Sequence, residues 1–279
     1  MGHRVTAKTN SASLLAAAVS FHANAGLIWQ LTKRELTGRY RGSYLGIVWA
    51  LIHPLLMLAV YTFVFSVVFK ARWAVGSGEP QVEFALILFS GLIVHGMVAE
   101  MLGRGPALIL QNANYVTKVV FPLEVLPLVV TITSLFHACI SYGLLIAALV
   151  LVNGTVHGTV LLMPVVLIPY LVCILGIGWI LASLGVYFRD ISQVTGLLAT
   201  VLLFVSPIFF PLEALPEAFR PLFLANPLTF VIEQTRGLLI WGTLPDWNAL
   251  GVYWGVSLVV AATGFYGFQK TRKGFGDVI

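Results

Sequence analysis

Residues 31–69 constrain the fold more than any other part of the chain. Four cations lie just before a long apolar run: Lys33, Arg34, Arg39 and Arg41. The run itself, Tyr44–Phe69, contains no Asp, Glu, Lys or Arg. A helix of about 26 residues extends roughly 39 Å, enough to cross a hydrocarbon core of about 30 Å. Because cations collect on the cytoplasmic side of a membrane span, we expect this first crossing to run outward.

The composition agrees with a membrane protein. Hydrophobic residues make up 59% of the 279 residues and charged residues only 10%, whereas soluble domains average about 25% charged residues. The mean hydropathy is +0.94. Cys139 and Cys173 both lie in apolar runs, so we expect no disulfide. The net charge of +5 follows the expected topology and does not argue for nucleic acid as a partner.

Hydrophobic runs predict an all-α integral membrane fold with six transmembrane helices. The predicted spans are Tyr44–Phe69, Phe84–Leu102, Val119–Val152 with the crossing itself from about Leu128, Thr159–Phe188, Ile191–Phe210 and Trp247–Phe268. Twelve of the 16 Lys and Arg residues fall on the inner side of this arrangement. An even number of spans with this bias places both termini in the cytoplasm.

The chain divides into three parts on this basis. Residues 1–43 form a cytoplasmic N-terminus, in which a stripe at helical spacing predicts an amphipathic interface helix: Leu14, Ala18, Phe21, Ala25 and Ile28. Residues 44–268 form the six-span domain, and residues 269–279 form a cytoplasmic tail. Within residues 211–246, two short apolar pieces separated by Asn226-Pro227 predict outer re-entrant helices. Glu233 and Arg236 in the second piece can pair at i,i+3.

The chemical motifs of enzymes are missing from the sequence. It has no G-x-x-x-x-G-K-[ST] phosphate loop, no G-x-S-x-G elbow and no H-E-x-x-H or C-x-x-C metal motif. We therefore expect no catalytic, cofactor or metal site in this chain. Gly251 and Gly255 form a G-x-x-x-G motif, which favours close helix packing either within the subunit or between two copies.

Two groups of residues inside the spans are open to more than one interpretation. His53, His95, Glu100 and His137 are ionisable, and could form the proton relay of a secondary carrier or simply make neutral and local contacts. Trp49, Tyr61 and Phe65 could belong to an interfacial aromatic belt. Alternatively, these aromatic side chains could line a path for sugars, whose C–H faces pack on aromatic rings.

Several stretches together resemble ABC-2 type permeases that export lipid-linked polysaccharides. They are L-T-K-R-E-L-T-G-R-Y-R-G-S-Y-L-G-I-V-W-A-L-I-H-P-L (residues 31–55), N-Y-V-T-K-V-V-F-P-L-E-V-L-P-L (114–128), Y-F-R-D-I (187–191), S-P-I-F-F-P (206–211), A-N-P-L-T-F-V-I-E-Q-T-R (225–236) and G-F-Q-K-T-R-K-G-F-G-D-V-I (267–279). The resemblance covers about residues 27–279, with O-antigen export the best match and teichoic acid or capsule export the near alternatives.

The resemblance implies a homodimer in a bacterial inner membrane with two separate ATP-binding cassette subunits, which would hold ATP and Mg. It implies a gate at the start of the first span, where cations and phenols would meet the head group of a carrier lipid: Lys33, Arg34, Arg39, Tyr40, Arg41 and Tyr44. It also implies that an inner loop contacts the ATPase through Gln111, Asn114, Tyr115 and Lys118. Ordinary positive-inside anchoring is the alternative for Lys118.

Overall fold

The computed structural model describes residues 13–68, 81–117 and 121–279, and every regular element in these ranges is helical. The helices are α1 (Leu14–Ala23), α2 (Ala25–Arg39), α3 (Trp49–Tyr61), α4 (Gln81–Arg104), α5 (Ala113–Thr117), α6 (Val125–Asn153), α7 (Met163–Tyr187), α8 (Ile191–Phe204), α9 (Arg220–Ala225), α10 (Pro227–Arg236), α11 (Trp247–Thr271) and α12 (Phe275–Val278). The predicted all-α class is confirmed. Phe69, at the end of the first predicted span, and Lys118 lie outside the described residues.

Five helical segments in these ranges are long and apolar enough to cross a membrane. They are Gly46–Phe65, Phe84–Arg104, Val125–Asn153, Gly158–Tyr187 and Trp247–Val278. The first includes α3, which contains Pro54, and the start of a π-helical turn, Thr62–Val68. These segments correspond to predicted spans one to four and six. Each can be predicted from the sequence because an uninterrupted apolar run of about 20 residues is enough to specify a span.

The fifth predicted span, Ile191–Phe210, is helical only as far as Phe204. Helix α8 has 14 residues and therefore extends about 21 Å. Ser206 precedes Pro207, and a residue before proline is pushed away from helical geometry. The side-chain amide of Asn226 donates to the Val205 carbonyl at 2.9 Å, which satisfies an acceptor at the end of the helix.

The predicted N-terminal helix is likewise interrupted. Helices α1 and α2 meet at Asn24 with a bend of 76°. The Asn24 side chain donates to the Ser20 carbonyl at 2.7 Å, and its backbone N–H also points back into the last turn of α1. Leu14, Phe21 and Ile28 of the predicted stripe pack on the core, whereas Ala18 and Ala25 are exposed.

Glu124 joins three distant parts of the chain at one end of the bundle. Its carboxylate accepts from Ser20 of α1 at 2.8 Å and from Arg272 near the C-terminus at 2.7 Å. Its carbonyl accepts from the indole N–H of Trp179 in α7 at 3.1 Å. The N-terminal helix pair, the loop before α6 and the C-terminal segment therefore lie at the same end of the molecule.

The closest helix contact joins α7 and α11, and small residues permit it. A Cβ placed on Gly176 would lie 2.7 Å from the backbone of Ala261, and one placed on Gly264 would overlap the Gly176 carbonyl. Gly251 and Gly255 are different, because an added Cβ at either position meets nothing within 4 Å. Packing within the subunit is therefore not the role of the G-x-x-x-G motif, and that interpretation was wrong.

We expect Gly176→Leu to destabilise the bundle by about 1–3 kcal/mol, because the new side chain would force α7 and α11 apart. Gly251→Leu is the matched control, since it adds the same side chain to open space. Thermal unfolding of the detergent-purified chain measures the difference. Equal melting temperatures for the two variants would contradict this account of the helix contact.

Candidate functional site

A cavity of about 610 Å³ lies between α3, α4 and α6. One wall is apolar and includes Leu56, Met57, Phe89, Leu92, Ile93 and Met97. The polar groups of the lining are Arg39, Tyr40, His53, Glu100, Ser134, His137 and Ser141. A volume of this size holds a small-molecule portion of a ligand, and the mixed lining suits a group with both polar and apolar faces.

A network of charges connects α2 to α4 at the polar end of the cavity. The Glu100 carboxylate accepts from Arg39 and, at 3.1 Å, from Arg104 one turn further along α4. Arg104 also pairs with Glu35 of α2. Two cations and two anions thus balance one another where α2 crosses α4. The i,i+4 spacing of Glu100 and Arg104 on α4 permits this contact.

His137 of α6 connects this network to Tyr40. Its Nδ1 lies 3.0 Å from an Arg39 guanidinium nitrogen, and its Nε2 lies 3.0 Å from the Tyr40 hydroxyl. A guanidinium can only donate, so Nδ1 is the acceptor and the neutral ring carries its proton on Nε2. Burial raises the pKa of the Tyr40 phenol against the opposite effect of Arg39. The Tyr40 hydroxyl therefore stays protonated and can donate to a ligand.

The structure separates the residues predicted to meet a carrier-lipid head group. Arg39 and Tyr40 line the cavity. Lys33, Arg41 and Tyr44 are exposed instead. Arg34 lies away from this cavity and donates to the Tyr115 hydroxyl at 2.7 Å.

The three predicted sugar-path aromatics also divide. Trp49 and Tyr61 of the first span line the cavity. Phe65 packs between Phe84 and Phe209, with ring centroids 5.7 and 6.0 Å away. Phe65 therefore contributes to an aromatic cluster between the first span, α4 and the chain after α8, with the Tyr61 ring 6.5 Å away, and it is not in the cavity lining.

The predicted ATPase-contacting loop is α5 with the turn before it. Gln111 and Asn114 are exposed. Tyr115 stacks on Phe121 with a centroid separation of 4.3 Å and an interplanar angle of 8°. Because Arg34 also contacts Tyr115, this loop is attached directly to α2, the helix that ends at Arg39.

The structure does not assemble the alternative proton relay. His95 lies 2.9 Å from the Ala199 carbonyl of α8 through Nε2, which makes it a link between two helices. His95 is not part of the cavity lining, whereas His53, Glu100 and His137 are. Glu100 is paired with two arginines.

The ion pair predicted between Glu233 and Arg236 in α10 is present. Glu233 accepts from Arg236 at 3.0 Å. The Arg236 side chain has no exposed surface and donates to the carbonyls of Ile87 at 3.2 Å, Pro207 at 2.5 Å and Ile208 at 3.0 Å. Arg236 therefore fastens α10 to α4 and to the turn that follows α8.

Sequence comparisons give relatives over nearly the whole chain. Residues 26–240 match the family described as ABC-2 type transporter. The O-antigen export system permease protein RfbA of Myxococcus xanthus is 32% identical over 261 residues, or 91% of this chain and 95% of RfbA. An RfbA of Klebsiella pneumoniae is 24% identical over the same shares of both chains. The polysialic acid transport protein KpsM of Escherichia coli is 25% identical over 86% of this chain and 91% of KpsM.

Five apolar helices long enough to cross a membrane indicate a multi-pass membrane protein. The chain belongs to the ABC-2 type transporter family.

We expect Arg236→Met to destabilise the protein by about 3–5 kcal/mol, because Glu233 and three buried carbonyls lose their donor. Arg220→Met is a matched control, since half-buried Arg220 donates to the nearby Leu215 and Glu213 carbonyls of the described chain. Thermal unfolding in detergent compares the two variants. A smaller loss for Arg236→Met than for Arg220→Met would show that the buried guanidinium does not fasten α10.

Proposed function

We propose that this chain is the transmembrane permease subunit of an exporter that moves a lipid-linked polysaccharide of the O-antigen class out across a bacterial inner membrane. The RfbA relatives, whose names state O-antigen export, support this substrate class. The KpsM relatives support a capsular polysaccharide as the second candidate. Teichoic acid export would use the same mechanism.

The cavity is the observation that carries this proposal. It combines a cation and a phenol, Arg39 and Tyr40, with two aromatic residues, Trp49 and Tyr61, in one lining. A guanidinium binds phosphate oxygens with charge-assisted hydrogen bonds. Aromatic faces pack on the apolar faces of sugar rings, and the Tyr hydroxyl and Trp N–H can bond sugar hydroxyls. A lipid-linked glycan presents both chemistries, a phosphate and a sugar, side by side.

The driving force would come from another protein. The sequence has no phosphate loop, so ATP and Mg²⁺ would be held by two separate ATP-binding cassette subunits. In this scheme α5 and the turn before it meet those subunits, with Lys118 just beyond them. Movement received there would reach α2 through the Arg34–Tyr115 contact. Two copies of the chain would enclose the path, with both termini in the cytoplasm.

The energy source tests the class of transporter. We expect export in proteoliposomes only when this chain is reconstituted with its ATPase partner and ATP, because the chain itself has no nucleotide motif. The control is a partner whose Walker lysine is substituted, which leaves the complex assembled and unable to hydrolyse ATP. Export driven by a proton gradient without the partner, or ATP hydrolysis by this chain alone, would contradict the proposal.

The aromatic wall gives a second test. We expect Trp49→Ala to lower the export rate by about fivefold to tenfold and Trp49→Phe to restore most of it, because the ring face is the contacting surface. Trp29→Ala is the matched control, since Trp29 is exposed on α2 and is not in the cavity lining. Surface glycan measured with a lectin in a strain lacking the native permease reports the rate. Equal export by the two alanine variants would remove Trp49 from the path.

A further inference from the structure

Glu100 lies at the point in the cavity where two arginines converge. One of its carboxylate oxygens accepts from both Arg39 and Arg104. The Glu100 side chain is 13% exposed and that of Arg39 is 36% exposed. The carboxylate is therefore the fixed member of the pair, and the guanidinium is the member with room to move.

We propose that Glu100 is a specificity-determining residue that competes with the substrate's phosphate for Arg39. In the empty cavity the carboxylate holds the guanidinium, and a lipid-linked diphosphate displaces it. The idea rests on the proposed function, because it assumes that Arg39 meets the head group of a carrier lipid. Carboxylate and phosphate oxygens suit the same planar fork of donors, so one can replace the other on Arg39.

The surrounding contacts make this exchange feasible. When Arg39 leaves, Glu100 keeps Arg104 at 3.1 Å, so no buried carboxylate is left without a cation. Arg104 is itself held in place by Glu35 of α2. The Tyr40 hydroxyl accepts from the Nε2 proton of His137, and its own proton remains available to a phosphate oxygen. The exposed cations Lys33 and Arg41 lie on the same segment and offset part of the added negative charge.

The Glu100 carboxylate competes with every ligand for Arg39. A ligand must therefore bind Arg39 more strongly than Glu100 does before it can occupy the site, and weaker binders are excluded. A diphosphate carries more charge and more acceptor oxygens than the single phosphodiester of an ordinary phospholipid. Glu100 would thus keep abundant monoanionic lipids out of the cavity while admitting a diphosphate-linked glycan.

Ligand binding to the whole transporter in lipid nanodiscs tests the proposal. The probes are farnesyl diphosphate, farnesyl monophosphate, farnesol and inorganic pyrophosphate. The first three differ in phosphate charge on the same lipid chain, and pyrophosphate is the anion without a lipid. We expect the wild-type complex to prefer the diphosphate lipid. Glu100→Gln should lower the dissociation constant for farnesyl monophosphate by at least about threefold. It should therefore reduce the ratio between the affinities for the diphosphate and the monophosphate. Glu100→Asp keeps the charge but reaches less far, so we expect a smaller change in the same direction.

Glu217→Gln is the matched control, because it makes the same substitution at an exposed residue that is not in the cavity lining. Its preference for the diphosphate should equal that of the wild type. In the double variant Arg39→Gln/Glu100→Gln the gain in monophosphate affinity should vanish. Melting temperatures of all variants confirm that the complexes are folded.

The outcomes separate the inference from the proposed function. Unchanged or weaker monophosphate binding in both Glu100 variants overturns the competition while leaving export by this family intact. A wild-type complex that binds farnesol as tightly as farnesyl diphosphate overturns the head-group assignment of Arg39 itself. Inorganic pyrophosphate that binds as tightly as farnesyl diphosphate shows a soluble anion site and overturns the lipid-linked source.

Discussion

The carboxylate of Glu124 holds the two ends of the chain and the loop before α6 together. A buried charge is costly unless donors surround it, and here Ser20 and Arg272 supply them from residues 104 and 148 positions away. The Arg272 guanidinium also donates to the Phe121 carbonyl at 2.7 Å. The Ser20 contact helps to position α1 and, through it, α2, together with the apolar packing of Ala16, Ala17 and Ile28. The polar end of the cavity depends on that position, because Arg39 and Glu35 are both carried by α2.

The charged groups of the fold are of two kinds. Arg236 is fully buried and has four acceptors, so any ligand that approached it would have to break existing bonds. Arg39 is partly exposed and shares its carboxylate acceptor, Glu100, with Arg104. The first kind stabilises the structure and the second can exchange partners. This difference in saturation, and not the presence of charge, is the reason we propose the cavity as the functional part of the molecule.

The sequence predicted the long helices because each needs only an unbroken apolar run, a local property. It missed the bend at Asn24 and the end of α8 at Phe204 because single side chains, Asn24 and Asn226, compete there for backbone groups. The cavity was harder to foresee. Arg39 and Glu100 are 61 residues apart, so no local pattern joins them, although the i,i+4 spacing of Glu100 and Arg104 was a usable signal. The pairing of Glu35 with Arg104 could not be predicted from the sequence, because Glu35 is one of several charged residues in its helix.

The first span is the least enclosed of the five, with 6% of its apolar window buried against 72% for the span in α4. An element with so few partners adds little to the free energy that separates folded from unfolded protein. The melting temperature from calorimetry or a dye-based assay would therefore depend mainly on α4, α6, α7 and α11. Substitutions in α3 would change it little. A variant could pass every test of folding quality and still lack one wall of the cavity, so screening of this protein needs a transport readout from the start.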